Sequence, residues 1–383
     1  MKRLAIITTH PIQYNAPFFK LLAAEENMDV KVFYTWGSSV LDNKFDPGFG
    51  KQVKWDIPLL EGYKYEFLEN ISDNPGSHHR GGIDNPAIIS RIEDYSPSAL
   101  LIFGWNFKSH LKCLRYFKGK LPVFFRGDST LLNEKPGLKT IARRILLKWV
   151  YRHVDYVLYV GENNKQYFLK HGLQQAQLMH APHAVDAVRF MEPDNEYTAR
   201  AKEWKERLGI QSNEITMLFA GKLESVKNPL FLLTLAELLK KLPVKIIIVG
   251  NGPLEKELKQ KAEYLNNVIF LDFQNQTLMP VVYRLGDIFV MCSVSETWGL
   301  AANEAMACGL AVMLSYKTGG AIDLVSEEIN GIIFNNNEIE KCIDFIKDLL
   351  KNKQKLLNMK HASKILIQQF SYKHTVQAIK NIL

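Results

Sequence analysis

The chain has 383 residues, 47% hydrophobic and 23% charged, with a formal net charge of +8. Its length exceeds one ordinary core and predicts two domains of roughly 150 to 200 residues. No apolar run approaches the ~18 residues of a membrane span. Four scattered cysteines (Cys113, Cys292, Cys308, Cys342) with no C-x-x-C pair exclude a disulfide framework and a structural zinc site. The opening MKRLAIITTH is too short in apolar residues for a secretory signal and reads as a first strand. A cytoplasmic protein is expected.

In chain order, strands are predicted at Leu4 to Thr8, Val30 to Tyr34, Ala99 to Phe103, Pro122 to Arg126 and Tyr156 to Val160. Helix-length amphipathic stretches fall at 17–24, near 86–94, and at 109–117, 138–153 and 163–170. Residues 191 to 213 turn polar, with Pro193, Asp194 and Asn195 as a turn signal, and a hinge is expected near 185–210. A second series follows, with strands at 216–221, 244–250, 268–271, 288–292, 311–314 and 331–334. Its helices fall at 228–241, 253–265, 278–286, 299–308 and 338–352. Strand and helix alternate throughout, so the predicted class is α/β, with two doubly wound parallel sheets. Ligands in such sheets sit at the carboxyl ends of the strands, which puts the expected site in a cleft between the domains. Neither G-x-G-x-x-G nor a Walker loop is present, which removes the main support for dehydrogenase and P-loop readings.

The positive charge is uneven. Residues 108–152 carry twelve Lys/Arg against Asp128 and Glu134. Within them, 138–153 sets Ile141, Ile145, Leu146 and Trp149 on one helical face, ringed by Arg143, Arg144, Lys148 and Arg152. This is either a solvated helix with snorkelling side chains or a face for anionic lipid or a phosphate-bearing acceptor. No recognition module for nucleic acid is visible.

The chemistry concentrates in three loops. In SETWGLAANEAMACG (295–309), a strand ends, a loop crosses Glu296, and a helix begins near Gly299. The amides of Trp298, Gly299 and Leu300 would sit at its positive end. Glu296 and Glu304 suit two hydrogen-bonding tasks on one extended ligand, such as hydroxyls of a sugar and of a ribose. Alternatively, they are a helix-start carboxylate and an ordinary exposed helical residue. In FAGKLESVKNP (219–229), Lys222 and Lys227 flank a turn into a helix and could clamp a diphosphate; the alternative is two solvated lysines. In IIIVGNGPLEKEL (246–258), Gly250 and Gly252 form a turn between strand and helix.

In this order and spacing, GKLESVKN, VGNGP and ETWGLAANEAMACG resemble the nucleotide-binding half of retaining glycosyltransferases of family four. That family has the GT-B fold of two Rossmann-like domains. SYKTGGAIDLV, NGIIF, the crossover APHAVDAVRF and the final FSYKHTVQAIKNIL extend the likeness over about 155–383. The resemblance implies an N-terminal acceptor domain at 1–190, a nucleotide-sugar domain at 191–365, and a last helix, 366–383, that crosses back onto the first. It implies transfer of a sugar from a nucleoside diphosphate sugar to a hydroxyl acceptor, such as a growing glycan or glycolipid, with retention of configuration. No cofactor or essential metal is expected. Lys222 and Lys227 would hold the diphosphate, Glu296 the donor sugar beside the backbone of Trp298, Gly299 and Leu300, and Glu304 the ribose. Base recognition would lie near Gly252 and the Phe273 to Asn275 loop. An epimerase of the same fold and a non-catalytic partner subunit are the alternatives.

The first domain departs from the pattern. It has His10-Pro11-Ile12 where many relatives carry a glycine pair, and FFRGDST where they carry His-Asp. His10 is the replacement catalytic candidate, against a structural turn histidine. Arg126 and Asp128 are candidates on the acceptor side. So are His78, His79 and Arg80 in the loop NPGSHHRGGIDNP, which could equally be a plain surface excursion.

Overall fold

The computed structural model describes residues 1–41, 45–46, 48–49, 51–52, 54–191 and 195–383. Pro193 and Asp194 of the expected turn lie outside them. Two compact units form. One comprises 1–44, 57–183 and 372–383; the other comprises 45–56 and 184–371.

The first unit is built on a seven-stranded sheet, parallel throughout. Its order is Lys64–Phe67, Met28–Tyr34, Lys2–Thr8, Ala99–Phe103, Val123–Arg126, Tyr156–Tyr159 and Leu178–His180. Leu4 to Ile7 of the central strand are fully buried, as a strand covered on both faces requires. Alternation divides them between two layers. Ala5 and Ile7 pack with Ile88, Ile92, Leu114, Leu147 and Val150. Leu4 and Ile6 pack with Phe18, Phe19 and Leu22 of Ala16–Ala23 and with Val376 and Ile379 of Tyr372–Lys380. The last helix is therefore part of this core, and the Tyr372 hydroxyl donates to the carbonyl of Tyr14 at 3.0 Å.

The second unit holds a six-stranded parallel sheet in the order Val268–Leu271, Val244–Val249, Ile215–Ala220, Ile288–Met291, Ala311–Ser315 and Gly331–Phe334. Met217, Phe219, Ile246, Ile248, Val290 and Met313 face Leu232, Leu235 and Ile346 of the covering helices. In each sheet the strand order turns beside the first strand of the unit, and the loops leaving that strand and its later neighbour form the ligand edge of a doubly wound fold. In the second sheet these are the loops after Ile215–Ala220 and Ile288–Met291. They carry Lys222, Lys227 and Glu296.

Three expectations are corrected. The polar stretch after 191 contains a twelve-residue helix, Glu196–Arg207, because its Glu, Lys, Arg and Ala residues are good helix formers with little to bury. The boundary falls after His183, and 45–56 groups with the second unit. The edge strands Lys64–Phe67 and Leu178–His180 escaped detection, since the first is partly polar and the second only three residues long. No helix among the described residues is long and apolar enough to cross a membrane.

Candidate functional site

The three chemical loops of the second unit are joined by their backbones. Gly250 has φ +133°, and a Cβ there would lie 2.0 Å from the carbonyl oxygen of Gly221. Only glycine allows this approach. A Cβ at Gly252 would meet the backbone of Leu223 within 2.8 Å. Leu223 N–H donates to the Asn251 carbonyl at 3.0 Å, and Leu254 N–H to that of Leu223 at 2.9 Å. The Asn251 side chain continues the connection: its amide donates to Glu255 at 2.9 Å and to Asp272 at 3.1 Å, and its oxygen accepts from Phe273 N–H at 2.9 Å. The Gly252 turn is thereby tied to the 273–275 loop.

Lys227 ends a short 3-10 turn, Ser225–Lys227, and Asn228 adopts a left-handed conformation (φ 52°) before Leu230–Leu239 begins. The Lys227 ammonium donates to the Glu296 carboxylate. Lys222 lies with its ammonium 5.0 Å from the centre of the Phe49 ring. Phe49 in turn meets Phe273 edge-on at 4.8 Å, and Trp55 lies 6.3 Å from Phe273. Asn275 donates to the Lys54 carbonyl at 2.7 Å, and Thr277 N–H to Asp56 at 3.1 Å. An early segment of the chain thus supplies aromatic rings beside a loop expected to recognise a base.

The glutamate loop is pinned by the turn that follows the next strand. Glu296 N–H donates to the Lys317 carbonyl at 3.1 Å, Gly319 N–H to that of Glu296 at 2.9 Å, and Gly320 N–H to that of Trp298 at 3.0 Å. Gly299 takes φ +104°, where a Cβ would clash with Thr318 and Met291. It opens the helix Leu300–Ala307. No hydrogen bond to the amides of Gly299 or Leu300 is found among the described residues, so the helix start presents donors for an anion or hydroxyl. Trp298 is buried, and its indole N–H donates to Asn303 at 2.9 Å; it contributes backbone and packing. Glu304 is only 2% exposed, which removes the reading of an ordinary exposed helical residue. Its carboxylate accepts from the Tyr283 hydroxyl at 2.6 Å. Sequence reasoning missed Tyr283, Asn251 and Phe49. For Asn251 the signal was its place between the two glycines of the turn.

In the first unit, His10 stands just past the carboxyl end of Lys2–Thr8, with Nδ1 2.9 Å from the Thr9 hydroxyl and its ring edge-on to Trp36 at 5.1 Å. The His78 ring meets the same indole at 6.4 Å. Trp36 therefore joins two candidates that the sequence separates. The loop carrying His78 is closed on itself by Gly76 N–H to the Gly82 carbonyl at 3.0 Å. His79 and Arg80 are exposed, and His79 Nε2 lies 3.0 Å from the loop's own Asn74 carbonyl. Neither has a hydrogen bond, ion pair or ring contact with His10 among the described residues.

Arg126 is corrected. It is buried, Nη1 donates to the Ala181 carbonyl at 2.8 Å and Nη2 to that of Pro182 at 3.4 Å, and burial lowers its pKa to about 10. Its guanidinium holds the crossover segment rather than facing an acceptor. Asp128 lies 3.7 Å from Nε2 of His183, a ring whose pKa burial lowers. His183 was missed, although its place in APHAVD, where the family pattern has P-N-G, was the available signal.

Together the two sheets define a GT-B architecture. Residues 200–365 match the family model of the glycosyl transferases group 1. It is 32% identical over 139 residues to an uncharacterized glycosyltransferase of Methanocaldococcus jannaschii, covering 34% of this chain and 35% of that one. It is 31% identical over 180 residues to the D-inositol 3-phosphate glycosyltransferase of Mycolicibacterium smegmatis, covering 45% and 40%. The chain thus spans about a third to two fifths of the length of these relatives. In fold it is similar to Anabaena HepE, solved in complex with UDP, with TM-score 0.74, 18% identity and coverage of 100% and 99%. It is also similar to sucrose-phosphate synthase of Thermosynechococcus elongatus, with TM-score 0.73, 16% identity and coverage of 100% and 98%.

Proposed function

We propose that the protein is a retaining glycosyltransferase that moves a sugar from a nucleoside diphosphate sugar to a hydroxyl acceptor. The observation that carries this reading is the buried Glu304 carboxylate, oriented by Tyr283, on the helix whose start adjoins the Lys227–Glu296 pair. Glu304 would accept hydrogen bonds from the ribose. Lys222, Lys227 and the amides of Gly299 and Leu300 would neutralise the diphosphate without a metal, and Glu296 would hold the sugar. The bond from the anomeric carbon to the diphosphate oxygen breaks, the acceptor oxygen bonds on the same face, and the departing diphosphate takes the acceptor proton. His10 is proposed on the acceptor side of this reaction. A thermal-shift screen over nucleoside diphosphates and their sugars, with and without EDTA, tests the assignment. A rise in Tm with one nucleotide series, unaffected by EDTA, is expected; UDP comes first because the solved neighbour is in complex with it. No rise with any member refutes the reading.

We further propose that the helix Leu138–Tyr151 rests on an anionic membrane surface, where a lipid-linked acceptor would be met. Leu147, Val150 and Tyr151 are its buried side, whereas Leu138, Ile141 and Ile145 are 85%, 54% and 66% exposed. A second apolar stripe facing water among basic residues suits a headgroup interface.

A further inference from the structure

The end of the second sheet opposite the glutamate loop carries a recess of about 730 Å³, within the usual range for small-molecule pockets. It is bounded by Glu196–Arg207, by the final turn of Leu300–Ala307 and by Lys353–Leu366. Lys202, Lys205, Arg284, Lys360 and Lys364 line it, and no carboxylate does among the described residues.

The charge there is poorly balanced. Asp287, directly before Ile288–Met291, is shared between two lysines: Lys360 Nζ donates to it at 2.8 Å and Lys205 Nζ lies 3.8 Å away. Burial works to raise the Asp287 pKa, but the two ammonium groups overcome it and the pKa is lowered. Burial likewise lowers that of Lys205. Arg284 donates to the carbonyls of Pro280 and Phe190, each at 2.8 Å. Lys202 and Lys364 are exposed and have no acidic partner among the described residues. The carbonyl end of Leu300–Ala307 supplies about half a negative charge. Among the described residues, and leaving Arg284 aside, the four lysines against Asp287 and this carbonyl end leave an excess of about two and a half positive charges. Lys360 and Lys364 are four apart on one helix, a like-charge spacing that costs stability in isolation.

We propose that this recess binds a soluble polyanion bearing two or more phosphate groups, at a site separate from the glutamate loop. The cations come from three elements and converge on one cavity, so they match a compact multiply charged ligand better than an extended surface. This assignment does not depend on the proposed transfer reaction.

The test is calorimetric titration of the full chain with inorganic tripolyphosphate at low salt. Wild type and Lys227→Ala should both bind, with binding weakened by 0.5 M salt. Lys202→Glu combined with Lys364→Glu should weaken it at least tenfold while leaving unliganded Tm unchanged, and the milder Lys202→Gln with Lys364→Gln should weaken it in the same direction. Absence of binding to wild type, equal binding by both double variants, or loss in Lys227→Ala overturns the proposal. So does binding that depends on Lys202 and Lys364 with phosphatidylglycerol vesicles but not with tripolyphosphate.

Discussion

Lys227 and Glu296 form an ion pair across 69 residues of sequence, with side chains 25% and 16% exposed. They follow Ile215–Ala220 and Ile288–Met291, neighbours in the sheet. Each is therefore the other's competitor for a ligand. Under the proposed function, a diphosphate that took the ammonium would displace the carboxylate and release it toward a sugar hydroxyl.

Glu296→Gln should accordingly tighten binding of the free nucleoside diphosphate by up to about fivefold, since a partly exposed pair contributes ~0.2–1 kcal/mol. Turnover of the sugar conjugate should fall at least about tenfold, because the lost contact strengthens in the transition state. Calorimetry and initial rates read the two effects. Weakening of the free diphosphate to the extent seen in Lys227→Ala would show the roles to be wrong.

Glu304→Gln should weaken both the diphosphate and the conjugate by about ten- to a hundredfold, the ~1.5–3 kcal/mol of a hydrogen bond to a charged group. Tyr283→Phe should act in the same direction and lower stability by ~1 kcal/mol, as it removes a buried donor 2.6 Å from the carboxylate. Equal affinities in all three proteins would remove Glu304 from the site.

How legible this was depended on whether the physics is local. The buried parallel strands announce themselves as apolar runs, and the glycine turns as backbone constraints. The Tyr283–Glu304 bond joins two helices whose packing no periodicity encodes. Glu304 therefore read equally well as an exposed residue. Lys64–Phe67 hides because an edge strand buries little and keeps polar residues. Glu196–Arg207 hides because a helix with one buried residue, Ala201, has no apolar stripe to display.

For His10, replacement by Ala should cut turnover about tenfold or more while leaving nucleotide affinity unchanged. Its ring lies against Trp36, so a structural role would instead appear as a lower Tm with normal activity per folded molecule.

Co-sedimentation with vesicles should be strong for anionic lipid, weak for neutral lipid and reduced by salt. Ile141→Asp with Ile145→Asp should abolish it at unchanged Tm, since both side chains are exposed. Equal binding to both lipids, or none to either, refutes the membrane face.

Stability should fall as pH drops from about 6.5 toward 4. His110 is fully buried, and burial lowers its pKa from 6.5 to about 4. A neutral ring can donate from Nδ1 to the Phe103 carbonyl at 3.0 Å and accept at Nε2 from the Thr35 hydroxyl at 2.9 Å. Between the two pKa values the unfolded chain binds the extra proton, so acid favours unfolding by on the order of 3 kcal/mol in all. Melting curves from pH 7.5 to 4.5 should show this slope, flattened in His110→Gln.

The grouping of 45–56 with the second unit bears on dissection of the protein. A single cut after His183 does not yield two self-sufficient pieces. A fragment of 184–371 would lack Phe49 and Trp55 against Phe273, the Lys54 carbonyl that Asn275 uses, and the Asp56 carboxylate that holds Thr277. Its 273–277 loop would have to find other partners or water. Nucleotide affinity measured on such a fragment would therefore underestimate that of the whole chain, and adding 45–56 as a separate peptide should recover part of the difference.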